Sequence, residues 1–166
     1  MDYSSKIIGI GADEFRSALS RFPSGVTIVT TRDACGKFHG ITVSSFASVS
    51  LEPPMILVCI EKTTGSHYAF EESSFFVVNI LAEGQESLSN RFASQISDKF
   101  EDVRYRLGLG EVPVLADALV TLECRLAYAH EGGDHTIFVG LVEKSEVKDA
   151  NPLVYWHGNY RKLDAE

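Results

Sequence analysis

Basic residues are in short supply: 15 Lys and Arg stand against 23 Asp and Glu, for a formal charge of -8. That balance argues against a nucleic-acid partner, because affinity for a phosphate backbone rests on clustered Lys and Arg and no basic stripe occurs. Cysteine is scarcer still. Cys35, Cys59 and Cys124 are odd in number, widely spaced and without a Cys-x-x-Cys pair, which suggests neither a disulfide framework nor a zinc site and fits a reducing cytoplasm. No apolar run approaches the roughly 20 residues that a membrane-spanning helix needs, and the opening Met1 to Ile10 lacks the apolar core of a secretion signal. The 5 histidines show no His-x-x-x-His spacing, and neither a Gly-x-Ser-x-Gly elbow nor a Walker lysine motif is present. Nothing therefore calls for a metal or for a covalent nucleophile. The run Gly9-Ile10-Gly11-Ala12-Asp13-Glu14 imitates the start of a dinucleotide fingerprint, but Glu14 stands where the third glycine belongs and the strand before it is too short.

What remains fits one domain, residues 1–166, long enough to hide about two thirds of its unfolded surface. Ala12 to Phe22 carries Phe15, Ala18, Leu19 and Phe22 at helical spacing, with Asp13 as cap or first-turn acid and Pro23 as the stop. Val26 to Thr31 and Phe38 to Phe46 read as a hairpin, and Met55 to Ile60 as a strand apolar on both faces. Gly65-Ser66 can cap a short helix, Phe75 to Leu81 is another buried strand, and Gln85 to Ala93 a helix with Leu88 and Phe92 on one side. Ser94 to Val112 has no clear period and is expected to be a mobile loop over a site. Leu119 to Ala129 and Thr136 to Val147 are long strands around a glycine-centred turn, and Pro152 to Trp156 and Tyr160 to Leu163 close the chain. Strands separated by turns, without βαβ alternation, indicate an antiparallel barrel.

The chemistry concentrates in Gly40 to Pro54. Thr42, Ser44, Ser45, Ser48 and Ser50 alternate with apolar or small residues, and no charge appears between Gly40 and Glu52. At strand period two, such a stretch packs one face and offers a neutral, hydroxyl-lined face on the other, with Ser48 and Ser50 further along a loop. A Ser/Thr-rich edge strand stopped by Pro53-Pro54 would look the same.

With Met55 to Ile60 following, this run resembles the short-chain flavin reductases, the small reductase components of two-component flavin monooxygenases. The likeness extends from about Phe15 to Leu163 and takes in Phe22-Pro23-Ser24-Gly25-Val26-Thr27, Asn90-Arg91-Phe92-Ala93, Gly133-Asp134-His135 and Tyr160-Arg161 in that order. It implies a mainly β fold, an antiparallel Greek-key split β-barrel with a few peripheral helices, usually a homodimer. It implies an NAD(P)H:flavin oxidoreductase that reduces FMN or FAD with NADH or NADPH and supplies reduced flavin to a partner monooxygenase. A flavin-binding electron carrier or ferric-reductase-like protein that keeps its flavin is the alternative, and a split-barrel interaction protein without cofactor a third.

By the same resemblance, Thr42, Val43, Ser44, Ser45, Ser48 and Ser50 are flavin-binding positions and Cys59 lines the ring. Ser66, with Lys62 nearby, either binds the flavin phosphate or caps a helix. Arg91 is a second phosphate candidate, beside Asn90 and Phe92, which match a run that approaches the cofactor. His135 is expected at the nicotinamide, where a neutral imidazole can donate one hydrogen bond and accept another. Tyr160 and Arg161 would add stacking and a charge for the nicotinamide pyrophosphate, or only closing-strand packing.

Overall fold

The computed structural model describes residues 9–163. A short helix, α1 (Ala12–Leu19), leads to β1 (Ser24–Gly25), β2 (Thr27–Arg32) and β3 (Phe38–Val43), and then to β4 (Phe46–Leu51) and β5 (Pro54–Glu61). After α2 (His67–Glu72) come β6 (Phe75–Ile80), α3 (Glu86–Ala93) and β7 (Tyr105–Leu107). A 3-10 turn (Leu109–Glu111), β8 (Pro113–Leu115) and the long hairpin β9 (Val120–Gly132) and β10 (His135–Val147) follow, with β11 (Val154–Trp156) and β12 (Asn159–Arg161) at the end. Among the described residues no helix is long and apolar enough to cross a membrane.

Seven strands form one antiparallel sheet in the order β3-β2-β6-β9-β10-β5-β4. Its two edges, β3 and β4, are consecutive in the chain and joined by Ser44 and Ser45 alone. Laid flat, seven strands at about 4.8 Å spacing would hold those edges roughly 29 Å apart. Three extended residue steps reach only about 10 Å. The sheet must therefore curl until its edges nearly meet, which gives a barrel with a seam bridged by Ser44-Ser45. A three-stranded sheet, β1-β11-β12, lies apart from this barrel wall.

The barrel interior holds Val29, Ile56, Val58, Ile60, Phe76, Val78 and Phe138, supplied by alternate positions of facing strands. A second cluster forms where Leu81, Leu115, Leu153 and the fully buried Phe92 of α3 meet Val26 and Ile28. Buried Asn79 ties β8 to the wall: it donates to Ile28 O and accepts from Leu115 N–H, both at 2.9 Å.

Several expectations are corrected here. Helix α1 ends at Leu19, not Phe22; its N-cap is Gly11, and of the two roles expected of Asp13 it takes that of first-turn acid, paired with Arg16 at 3.0 Å. Ser48 and Ser50 lie in strand β4, not in a loop. Within Ser94 to Val112, residues 94–104 form a loop as expected, held by Asp98, which accepts the N–H groups of Phe100 and Glu101, whereas the last part forms two short elements, Tyr105–Leu107 and Leu109–Glu111, anchored by buried Glu123, which bonds Leu109 N–H at 2.7 Å and Arg106 at 3.0 Å. Pieces of three residues show no period in a sequence, so anchored segments of that size pass for a loop.

Candidate functional site

Strand parity decides which side chains share a surface. On β5 the buried Ile56, Val58 and Ile60 face the interior, so Met55, Leu57 and Cys59 face outward. Residues directly opposite in an antiparallel pair project to the same side. Ile137 lies opposite Cys59, so Ile137 and, two residues before it, His135 share the outer face. Ser50 lies opposite Met55 and joins them, whereas Ser48 lies opposite Ile56 and projects the other way. The slip in register between Ser48 and Ser50 is a bulge, and it undoes the single hydroxyl face that unbroken alternation predicts.

At the seam, Ser45 is clamped to Cys59. Its hydroxyl donates to Cys59 O at 2.8 Å, and Cys59 N–H reaches the Ser45 carbonyl at 3.2 Å. Burial raises the Cys59 thiol above its ordinary range, partly offset by the Ser45 hydrogen bond, so the thiol stays protonated and neutral. Ser44 is exposed on the same crossing.

His135 begins β10 at the hairpin end, and its Nδ1 lies 2.7 Å from Asp134 Oδ1. Hydrogen bonding to His135 lowers the Asp134 carboxyl below its usual range, so it is an acceptor and Nδ1 carries the proton. Nε2 is then left for a ligand.

The remaining candidates separate from this face. Thr42 projects toward α3 and donates to Ser89 O at 2.6 Å, while Val43 packs against the barrel core. Phe92 is 0% exposed and meets Phe100 edge to face at 5.1 Å, so it belongs to the core and reaches no ligand. Arg91 donates to Lys99 O at 2.8 Å and to Asp98 O at 3.2 Å, which fixes the segment after α3. Tyr160 donates to Asn90 Oδ1 at 2.8 Å, which binds the closing sheet to α3. Arg161 lies over the Trp156 ring at 5.8 Å in the three-stranded sheet, while His135 stands in the barrel wall. Lys62 is taken by Glu131 and by Gly133 O.

Ser66, by contrast, opens on a cavity of about 760 Å³ bounded by β3, α2 and residues 94–101. Lys37, Lys99, Tyr68 and Phe38 line it as well, none of which was singled out from sequence. Beside it sits a trio of which Asp33 and His39 are buried and Tyr68 is exposed: His39 Nε2 is 2.8 Å from Asp33 Oδ2, and the Tyr68 hydroxyl is 3.2 Å from each. The His39 hydrogen bond, helped by Lys37 N–H and Tyr68, pulls the Asp33 carboxyl down to about 2. Asp33, His39 and Tyr68 are far apart in sequence, so no motif spacing announces them.

Cavity and seam are neighbours on one strand: Ile41 lines the cavity, and Ser44 lies about 10 Å further along the extended chain. A flat ring on the outer face, a short polyol along the end of β3 and an anion near Ser66 would follow that path. Residues 19–164 match the flavin reductase like domain. The chain belongs to the flavin reductase-like family. It is 40% identical over 153 residues to the flavin-dependent monooxygenase reductase subunit HsaB of Rhodococcus jostii, covering 92% of this chain and 78% of that one. A probable flavin reductase of Rhizobium meliloti is 40% identical over 145 residues, 87% of this chain and 47% of that protein, so this chain spans about half the length of that relative. Among solved structures, the Streptomyces globisporus NADH:FAD oxidoreductase SgcE6, in complex with NAD and FAD fragments, superposes with a TM-score of 0.86 at 34% identity, covering 92% of each chain. The fold of this flavin reductase-like chain is thus shared with them along nearly its full length.

Proposed function

We propose that the protein is an NAD(P)H-dependent flavin reductase that passes reduced flavin to a partner monooxygenase. The observation that carries the proposal is the shared outer face of Ser45, Ser50, Cys59 and His135, continuous along β3 with the cavity at Ser66, in a chain of this family. The donor set fits a flavin: small neutral hydroxyls for a ring edge, a neutral thiol and the apolar Leu57 and Ile137 beneath a ring, and Ser66 where the tail would end.

A bound flavin supplies the hydride-accepting ring and a reduced nicotinamide supplies the hydride. This chain's part is positional. Ser45 and Ser50 orient the ring edge, and Cys59 lines the ring without reacting. His135 is held by Asp134 with Nε2 free to accept from the nicotinamide carboxamide. Ser66 binds the flavin phosphate. The outer face also carries exposed Tyr128, and edge strand β4 exposes Val49 and Leu51, the latter at 93%. We propose that a second copy of the chain covers this apolar surface, giving a homodimer.

The test is NADH oxidation by purified protein with FMN or FAD in excess. Many turnovers per protein are expected, and purified partner hydroxylase should draw on the flavin released. Oxidation that stops at one equivalent of bound flavin would instead describe an electron carrier.

A further inference from the structure

We propose that the pocket between the small sheet β7–β8 and the far end of the β9–β10 hairpin is a second ligand site, for an aliphatic carboxylate. Along β10, Glu146 on this pocket is separated from His135 by roughly 35 Å of extended strand, so the pocket lies well away from the face given to the nicotinamide.

Strand register brings its polar groups together. On β9, Leu122 packs against the barrel core, so Thr121 and Glu123 project outward, toward β7 and β8. Glu146 lies opposite Thr121 and shares that side, and Lys148, two residues on, lines the same pocket. Thr121 is only 5% exposed, and its Oγ1 is the one buried side-chain oxygen without a hydrogen-bond partner among the described residues. Buried hydroxyls are nearly always paired, and a carboxylate oxygen in the pocket would pair this one.

Charge points the same way. In a chain with a formal charge of -8, Arg104, Arg106 and Lys148 ring this pocket against a single acid on its lining, Glu146. Arg106 is taken up by Glu146 and by buried Glu123. Arg104 has an exposed partner, Asp117 at 2.7 Å, and exposed pairs hold weakly. Lys148 makes no ion pair among the described residues and reaches only Ala116 O. Two cations are therefore left for an anion.

The body of the ligand follows from the rest of the wall, where Val114, Leu115 and Ala118 are buried and aliphatic. At about 540 Å³ the pocket has the size of those that hold whole small ligands, and an inorganic anion would leave that wall uncovered. A carboxylate on a short aliphatic body meets both demands.

The test titrates the full chain with hexanoate and with cyclohexanecarboxylate by calorimetry. FMN is kept at saturation, because Tyr105 lines both this pocket and the cavity at Ser66. At least one of the two carboxylates is expected to bind, about tenfold tighter than its neutral amide. Lys148→Met should weaken it about fivefold. Thr121→Val keeps the shape and removes the hydroxyl. It should also weaken the carboxylate about fivefold, with a melting temperature unchanged or raised, since the free protein loses no hydrogen bond.

Failure of both carboxylates to bind overturns the proposal, as does an amide that binds equally well. Binding that FMN abolishes would place the anion on the flavin's own path, with the same result. Unchanged affinity in both variants overturns it too. A lower melting temperature in Thr121→Val would show that the hydroxyl already has a partner, which removes the observation on which the site rests.

Discussion

The hydroxyl of Tyr160 lies 2.8 Å from Asn90 Oδ1 and 2.9 Å from Ser89 Oγ, joining the last strand of the chain to helix α3. Thr42 donates to the carbonyl of the same Ser89, so β3, α3 and β12 are stitched together through adjacent residues of one helix. Tyr160→Phe should therefore lower unfolding free energy by about 1 kcal/mol, the usual net worth of such a hydrogen bond. Urea denaturation measures that loss. The KM for NADH should stay within about twofold, and a larger rise with unchanged stability would return Tyr160 to the nicotinamide site.

The barrel was legible in the sequence because its long strands carry their own signals. The β-branched run of β2, the apolar run of β5 and the glycine-centred hairpin of β9 and β10 each fill a strand-length window. The site was legible only in part. His135, Cys59, Ser45 and Ser50 do share a face, but Ser48 does not, because the bulge after it adds a residue that no local pattern announces. For Phe92 and Tyr160 the sequence left packing and ligand contact both open, because what an aromatic side chain does is decided by what lies across from it, here Gly40 and Phe100 for one and α3 for the other. The cavity was invisible because Lys37, Ser66 and Lys99 meet only once the sheet has curled.

His135 and Asp134 give a prediction that separates the two nucleotides. Removing the imidazole with His135→Ala takes away one hydrogen bond to the carboxamide and should raise the KM for NADH by about fivefold or more. Flavin affinity, measured by quenching of flavin fluorescence, should change less than about twofold. Asp134→Asn should act in the same direction with a smaller effect, since the amide oxygen is an uncharged, weaker acceptor for the Nδ1 proton and holds the ring less firmly. Equal losses for flavin and nicotinamide in His135→Ala would count against the role given to it.

Ser66 allows a similar separation within the flavin. If its hydroxyl serves the phosphate, Ser66→Ala should weaken FMN by about fivefold while leaving riboflavin, which has no phosphate, almost unaffected. Equal weakening of both would move Ser66 from the phosphate to the ring or to helix α2.

Gly40 has no room for a side chain. A Cβ there would lie 2.5 Å from Cε1 and 2.6 Å from Cδ1 of Phe92, whose ring is already held by Phe100. Gly40→Ala should destabilise the fold by about 1–3 kcal/mol through overpacking, seen as a lower melting temperature. Phe92→Leu in the same chain should recover part of the loss, because it withdraws the ring edge from the new methyl group. Additive losses in the double variant would show that the strain lies elsewhere.

Asp33 sets the last prediction, which concerns pH. Its carboxyl is lowered from 3.8 to about 2 by the hydrogen bond from His39, with Lys37 N–H and the Tyr68 hydroxyl adding to the effect against the opposing cost of burial. A carboxyl whose pKa falls on folding contributes stability that is complete above its unfolded value and is lost as pH drops through its folded value. The stabilisation should therefore hold down to about pH 4 and fade between there and about pH 2. Asp33→Asn cannot titrate, so the difference in unfolding free energy between the original protein and the variant should be constant from neutral pH to about 4 and then shrink. Urea titrations across that range provide the measurement, and taking the difference between the two proteins cancels carboxylates that titrate alike in both. Glu72, whose charge helps raise the Tyr68 phenol, belongs to that shared background. A difference that stays flat down to pH 2 would mean that the carboxylate is not stabilised by its contacts and that Asp33 serves only to shape the turn through Cys35 N–H and Lys37 N–H.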